Sequence, residues 1–357
     1  MRWSWKIARL AGIDVYMHAT FLLLLGWVGI SYYSDGGLSY AIDGLFFIVL
    51  LFGIVVLHEL GHALTARRFG IATRDITLLP IGGVARLERM PEDPRQELLV
   101  ALAGPAVNVA LAVLILFLAV PVHLTNLEGL SLVGSELFVK LFWVNIVLAV
   151  FNMLPAFPMD GGRVLRALLA IKMDYVRATE IAANVGQALA ILFGFVGLFT
   201  NPFLVFIALF VWMGASQEAS IVEMRAALRG VPISHLMITD YQVLHPWEPL
   251  SRVVQLLLSG WQQDFPVVYD DRVVGILTRS ALLKALSGAE SDQRVQDVML
   301  EHFETADASE MAQPVFARFQ SSESRTLPVL QAGQLVGLVT AENLGEFLMI
   351  EKARSGS

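Results

Sequence analysis

Long apolar runs fill most of the first 215 residues, whereas the remainder alternates short apolar, charged and turn-forming segments. Apolar runs of this length predict helices that cross a bilayer. Composition changes near Ala219. The pattern therefore predicts an α-helical polytopic membrane domain followed by a soluble α/β domain. Six transmembrane helices are expected, at residues 15–33, 44–66, 98–122, 137–157, 181–199 and 202–215.

The distribution of charge predicts the orientation of these helices. Lys and Arg are concentrated in residues 1–9, 67–95 and 163–177, while the loops at 34–43, 123–136 and 200–201 carry none. Because basic loops stay on the cytoplasmic side, both termini and the soluble domain are expected in the cytoplasm, at the cell membrane. The net charge of −7 argues against a nucleic-acid partner.

Ionisable residues lie inside the second apolar run, at His58, Glu59 and His62. Two histidines four residues apart lie on one helical face and can bind the same metal ion. Glu59 lies beside them, where a carboxylate serves as a general base. The chain has no cysteine, so any metal must be held by histidine and carboxylate. Buried ionisable residues in a membrane helix indicate a functional site.

A candidate third ligand follows the fourth run. Pro155 and Pro158 interrupt the helix, and Asp160 comes just before Gly161 and Gly162. This run ends on the cytoplasmic side of the membrane, where the histidines also lie. Asp160 is therefore predicted as the third zinc ligand, with the fourth position left for water. The alternative is a helix cap at the membrane surface.

Three further features allow two interpretations each. His18 is either a hydrogen-bonded helix histidine or an occasional fourth metal ligand. Asn108 either aids helix packing or contacts a substrate. The segment 75–87, which contains Gly82 and Gly83, should be extended chain, either as a surface loop or as a strand edge that pairs with an unwound substrate.

The soluble part contains a repeat with a constant offset of about 62 residues. Residues 236–237, 266–268 and 275–278 align with residues 298–299, 328–330 and 337–340. The repeat predicts a linker helix at 218–231 and two modules at 232–290 and 291–350.

These modules resemble a pair of cystathionine-β-synthase (CBS) domains. The resemblance implies a cleft that binds ATP or another adenine nucleotide, with Thr278, Thr340 and Asn343 as tentative ligand contacts. CBS domains usually place an aspartate three residues after the threonine, whereas this chain has Ala281 and Asn343 there. Dimerisation or substrate positioning is therefore an alternative role, and a homodimer through these modules is expected.

Residues 1–217 resemble the site-2 protease family of intramembrane metalloproteases, in both the His-Glu-x-x-His motif and the distal Asn-x-x-Pro-x-x-Pro-x-Asp-Gly motif. The resemblance implies that His58, His62 and Asp160 hold one Zn²⁺ and that Glu59 is the general base. It also implies that Asn108 and Asn152 position the substrate backbone.

The expected reaction is hydrolysis of a peptide bond in or near the transmembrane segment of a membrane-protein substrate. The alternatives are a CBS-gated transporter or channel and a catalytically inactive scaffold.

Overall fold

A computed structural model of the chain describes residues 3–80, 82–88, 90–91, 93–124, 131–287, 293–321 and 324–355. The chain forms two compact units, Met1–Ser220 and Ile221–Ser357. Residues 125–130 of the predicted loop at 123–136, and the predicted module boundary at 290/291, lie outside the described residues.

The first unit begins with a four-stranded sheet in the order β1-β2-β3-β4. Strands β2 and β3 are parallel, and the other two pairs are antiparallel. One face of the sheet packs against the first helix through side chains that include Val15 and Ile76. The strands are β1 (Ser4–Leu10), β2 (Ile13–His18), β3 (Thr73–Leu79) and β4 (Gly82–Leu87).

The start of the first predicted span is wrong, because residues 15–18 belong to β2 and the helix begins at Ala19. Ile13 and Val15 are buried while Asp14 and Tyr16 are partly exposed, which is the alternation of a half-buried strand. The expected extended chain at 75–87 is confirmed over the described residues, since it forms β3 and β4.

Six helices complete the described part of the first unit, and the last of them extends past Ser220. They are α1 (Ala19–Arg68), α2 (Pro94–Leu124), α3 (Ser131–Asn152), α4 (Asp160–Ala170), α5 (Tyr175–Phe199) and α6 (Pro202–Ala227). Among the described residues, α1, α2, α5 and α6 are long and apolar enough to cross a membrane. Gly36 and Gly37 have non-helical backbone, so α1 consists of two helical segments.

Three predicted boundaries differ from the observed helices. The fourth span was expected to reach residue 157, but α3 ends at Asn152 and an irregular segment, residues 153–159, contains both prolines. The sixth span and most of the predicted linker helix form one continuous helix, α6, because nothing between Pro202 and Ala227 interrupts the helical hydrogen bonds. The predicted end of the linker helix at residue 231 is wrong, because α6 ends at Ala227.

The second unit repeats one order of elements: a 3₁₀ turn, a helix, a strand hairpin and a second helix. The first copy contains Ile233–His235, α7 (Leu250–Ser259), β5 (Phe265–Tyr269), β6 (Arg272–Leu277) and α8 (Arg279–Leu286). The second contains Val295–Asp297, α9 (Ala312–Ser321), β8 (Thr326–Gln331), β9 (Gln334–Thr340) and α10 (Ala341–Ser355), with the short strand β7 (Ala306–Asp307) beside β8.

The two copies exchange the segments that precede their helices. Ile233 packs in the core of the second copy, and Val295 packs in the core of the first. The exchange brings Met237 against Gly337 and Met299 against Gly275, which are pairs of repeat-equivalent residues. Each glycine leaves room for the methionine of the exchanged segment.

Candidate metal centre and a cavity in the second unit

The two histidines of α1 meet the carboxylate of Asp160 in the interior of the first unit. His58 Nε2 and His62 Nε2 lie 3.1 Å apart, and they lie 3.2 and 3.1 Å from Asp160 Oδ2. All three side chains are buried. Among the described residues, they are the cluster that offers three converging metal-ligand atoms. Residues 102 positions apart in the chain are thus brought together.

The chemistry of these donors fits a zinc ion. His62 Nδ1 lies 2.7 Å from the carbonyl oxygen of Val100. A carbonyl can only accept a hydrogen bond, so Nδ1 carries the proton and Nε2 keeps its lone pair towards the cluster. Lone pairs of imidazole and carboxylate this close repel one another unless a proton or cation lies between them. Two imidazole nitrogens and one carboxylate oxygen are a ligand set of catalytic zinc.

Helix α2 approaches the histidines closely at Gly104. A Cβ atom at position 104 would overlap His62 Nε2 and lie 2.6 Å from His58 Nε2. Glycine here lets the helix backbone form one wall of the site.

Asp160 is presented by the irregular segment that follows α3. It is the first residue of α4, whose N-cap is Met159. Positions 161 and 162 lie against the backbone of that segment, where a Cβ atom would overlap main-chain atoms of Met153, Leu154 or Phe157. This close packing holds the start of α4 against the segment, and Asp160 Oδ2 lies 3.2 and 3.1 Å from the two histidine Nε2 atoms.

Glu59 lies beside the cluster and contacts β4. Its Oε2 accepts a hydrogen bond of 3.2 Å from the backbone N–H of Ala85. A Cβ atom at Gly83 would lie 2.8 Å from Glu59 Cγ, so glycine allows the strand to approach. Gly82, the other predicted substrate contact, begins the same strand. β4 is an edge strand of the described sheet, and it passes directly over the candidate base.

The remaining predicted residues of the first unit lie in different environments. His18 is the N-cap of α1, and its Nδ1 accepts a 3.3 Å hydrogen bond from Thr20 N. This contact matches the interpretation of His18 as a hydrogen-bonded helix histidine. Asn108 is fully buried, and neither amide atom has a hydrogen-bond partner among the described residues. Asn152 is partly buried at the end of α3.

Sequence reasoning missed two buried polar features. Asn145 of α3 is fully buried and donates a 2.8 Å hydrogen bond to Leu141 O. Arg166 of α4 is also buried and pairs with Glu97 of α2. The sequence signal from Arg166 was a basic residue in a connecting segment, which indicated orientation alone.

The second unit contains a cavity of about 750 Å³. All three predicted nucleotide contacts line it: Thr278, Thr340 and Asn343. Each threonine hydroxyl accepts a 3.2 Å hydrogen bond from the backbone N–H three residues on, in the first turn of the following helix. Arg279 and Arg325 add cationic groups to the wall.

Apolar helices that enclose a histidine-carboxylate cluster with an adjacent glutamate define the class of membrane-embedded metallopeptidases. Residues 46–134 and 118–193 match Peptidase family M50, and residues 233–288 match the CBS domain. The chain belongs to the M50 (site-2 protease) family and is a zinc metalloprotease with a CBS domain. This assignment excludes the transporter or channel alternative.

Three relatives illustrate the match. A zinc metalloprotease of Methanocaldococcus jannaschii is 34% identical over 281 residues, which cover 78% of each chain. A putative zinc metalloprotease of Synechocystis is 27% identical over 372 residues, covering 98% of this chain and 96% of the relative. The solved structure of a site-2 protease from M. jannaschii is 36% identical, covers 61% of this chain and 95% of its own, and gives a TM-score of 0.45.

Proposed function

We propose that this metalloprotease cleaves a peptide bond in or near the transmembrane segment of a membrane-protein substrate, at a zinc ion held by His58, His62 and Asp160. The observation that carries the proposal is the convergence of their three donor atoms within 3.2 Å of one another inside apolar helices. Zinc bound there supplies Lewis acidity towards the scissile carbonyl and lowers the pKa of water.

Glu59 is the proposed general base. It takes the proton of the attacking water and delivers it to the leaving amine, so the carboxylate is restored after each turnover. The hydrogen bond from Ala85 N fixes one carboxylate oxygen, while the position of Glu59 beside His58 keeps the group near the cluster.

The free edge of β4 is the proposed binding site for substrate backbone. A helical substrate satisfies its amides internally, so it must unwind before hydrolysis and can then add to a strand edge. Gly82 and Gly83 begin this strand, and glycine at position 83 lets the strand lie against Glu59. Asn108 and Asn152 are proposed as further backbone contacts, and the unpartnered buried amide of Asn108 supports this role.

Six membrane-spanning segments are proposed: two from α1, divided at Gly36 and Gly37, and one each from α2, α3, α5 and α6. The basic segments at 1–9, 67–95 and 163–177 then lie in the cytoplasm, together with both termini. The proposed location is the cell membrane.

The second unit is proposed to consist of two CBS modules at 232–290 and 291–350, joined to a protease domain at 1–217 by a linker at 218–231. Their cavity is proposed to bind ATP or another adenine nucleotide, with Arg279 and Arg325 near the phosphates and Asn343 near the ribose. Dimerisation through these modules is proposed as well.

Metal analysis of the purified full chain tests the zinc site. Wild type should contain about one zinc per chain, and His58→Ala and Asp160→Ala should each lose most of it. His18→Ala is the matched histidine control and should retain zinc, because His18 caps α1. A full zinc content in Asp160→Ala would show that Asp160 is not a zinc ligand. A wild type that binds no zinc even after reloading would contradict the proposed site.

A further inference from the structure

A buried ionic junction centred on Arg166 joins four helices of the first unit. Arg166 of α4 is 1% exposed. Its Nε and Nη2 donate to Glu97 Oε1 of α2 at 2.8 and 2.5 Å, and its Nη1 donates to Glu218 Oε1 of α6 at 2.6 Å. The guanidinium carbon lies 5.0 Å from the ring centroids of Phe157 and of Tyr175, at the start of α5.

The junction includes residues that precede and follow Asp160 in the chain. Arg166 lies six residues after Asp160 on α4, and Phe157 lies three residues before it in the irregular segment. One guanidinium therefore holds the helix that follows the candidate ligand and the segment that precedes it.

The same junction connects α4 to the helix that supports the histidines. Glu97, Val100 and Gly104 lie on one face of α2, at spacings of three and four residues, over about 10 Å. Val100 accepts from His62, Gly104 forms the wall beside both histidines, and Glu97 pairs with Arg166. This face of α2 thus contacts all three candidate ligands, directly or through α4.

We infer that Arg166 is a positioning residue for the metalloprotease reaction: by locking α4 onto Glu97 and Glu218, it fixes Asp160 against the histidine pair. The inference rests on the proposed zinc site. Arginine suits the role because its planar fork binds two carboxylates while its faces stack on aromatic rings, whereas lysine offers a single point charge.

Burial lowers the pKa of Arg166, but Glu97, Tyr175 and Glu218 together raise it by more, so that it lies above the ordinary value. The guanidinium therefore stays charged, and removing it outright would leave Glu97 buried without its cation. Arg166→Lys is the informative variant for that reason. Glu97→Gln is the second, since it keeps shape and hydrogen-bonding capacity.

The test compares zinc affinity, thermal unfolding of the metal-free protein, and kcat and KM in the full chain. Arg166→Lys should weaken zinc binding about 10–100-fold, as expected for an outer contact that orients a ligand, and lower kcat with KM unchanged. Glu97→Gln should change the same quantities in the same direction but less. Arg177→Lys is the matched control, because Arg177 is exposed on the first turn of α5.

Zinc affinity equal to wild type in Arg166→Lys would overturn the inference. So would a loss of zinc affinity that only parallels loss of metal-free thermal stability in both variants, since that result describes a structural ion pair. A wild type that binds no zinc contradicts the proposed function instead, so the two failures are distinguishable.

Discussion

The two units of the chain are organised differently: the first is built around a single cluster of buried polar groups, and the second around a repeat. In the first unit, one asymmetric cluster brings together residues from distant helices, and Asp160 meets His58 across 102 positions. In the second unit, two equivalent cores complete each other, and the same methionine-on-glycine contact occurs at Gly275 and Gly337. A substitution at the metal cluster of the first unit should therefore affect zinc binding and catalysis. A substitution at a methionine-on-glycine contact of the second unit should affect the stability of that unit.

The cost of burial explains the difference. Ionisable groups in apolar surroundings are stable only when they are paired or bind a metal, so the first unit has few tolerated arrangements at its centre. Apolar cores tolerate exchange of side chains of similar volume. The two copies therefore differ around the cavity, where Arg279 is matched by Ala341 and Ala281 by Asn343. Both copies nevertheless have an apolar core.

The largest expected effect follows from removing the general base. Glu59→Gln should reduce cleavage of a membrane-protein substrate by about 10²–10⁴-fold, because an amide cannot take the proton of water. Zinc content should stay at the wild-type level, since Glu59 is not one of the three converging donors. Substantial turnover by the purified, zinc-loaded variant would refute the assignment of the base.

The next effect concerns the wall of the metal site. Gly104→Ala should weaken zinc binding about 10–100-fold, because the added methyl group overlaps His62 Nε2 and displaces the ligands. Gly53→Ala on α1 is the control, since a Cβ atom there meets nothing within 4 Å. Chelator competition measures both affinities. Unchanged zinc affinity in Gly104→Ala would mean that α2 moves freely away from the histidines.

The sequence predicted the residues of the metal site more completely than the fold that surrounds them. The motif residues near His58 and Asp160 could be recognised because each combines a local spacing with a known chemistry. Strands β1 and β2 were missed, although Ile13 and Val15 alternate with polar residues, because this short pattern runs directly into the apolar helix.

Arg166 shows why the remaining contacts could not be predicted. Its partners Glu97 and Glu218 lie 69 and 52 residues away, and no local spacing relates them. Similarly, the exchange of Ile233 and Val295 between the two cores depends on how the copies pack. The repeat offset alone is compatible with two separate modules.

A smaller effect is expected in the second unit. Gly337→Ala places a Cβ atom 2.7 Å from Met237 Sδ and 3.0 Å from Ile238 O, so overpacking should destabilise this unit by about 1–3 kcal/mol. Gly275→Ala should have a similar effect, because Met299 Sδ lies 2.6 Å from its Cβ position.

Faster hydrogen exchange would report this destabilisation, in β8 and β9 for Gly337→Ala and in β5 and β6 for Gly275→Ala, with zinc content unchanged. Gly345→Ala is the control, since its Cβ position is open and alanine favours the helix. Unequal responses of Gly337→Ala and Gly275→Ala would contradict the equivalence of the two cores.

The smallest effect concerns divergence around the cavity. If Asn343 lies beside the ribose of a bound nucleotide, Asn343→Asp should tighten ATP binding about 3–10-fold, because a carboxylate accepts hydrogen bonds from both ribose hydroxyls more strongly than an amide does. Asn343→Ala should weaken binding. Titration calorimetry of the full chain measures both. Equal ATP affinity in wild type and both variants would mean that Asn343 does not contact the nucleotide. No ATP binding by wild type would favour dimerisation or substrate positioning as the role of this unit.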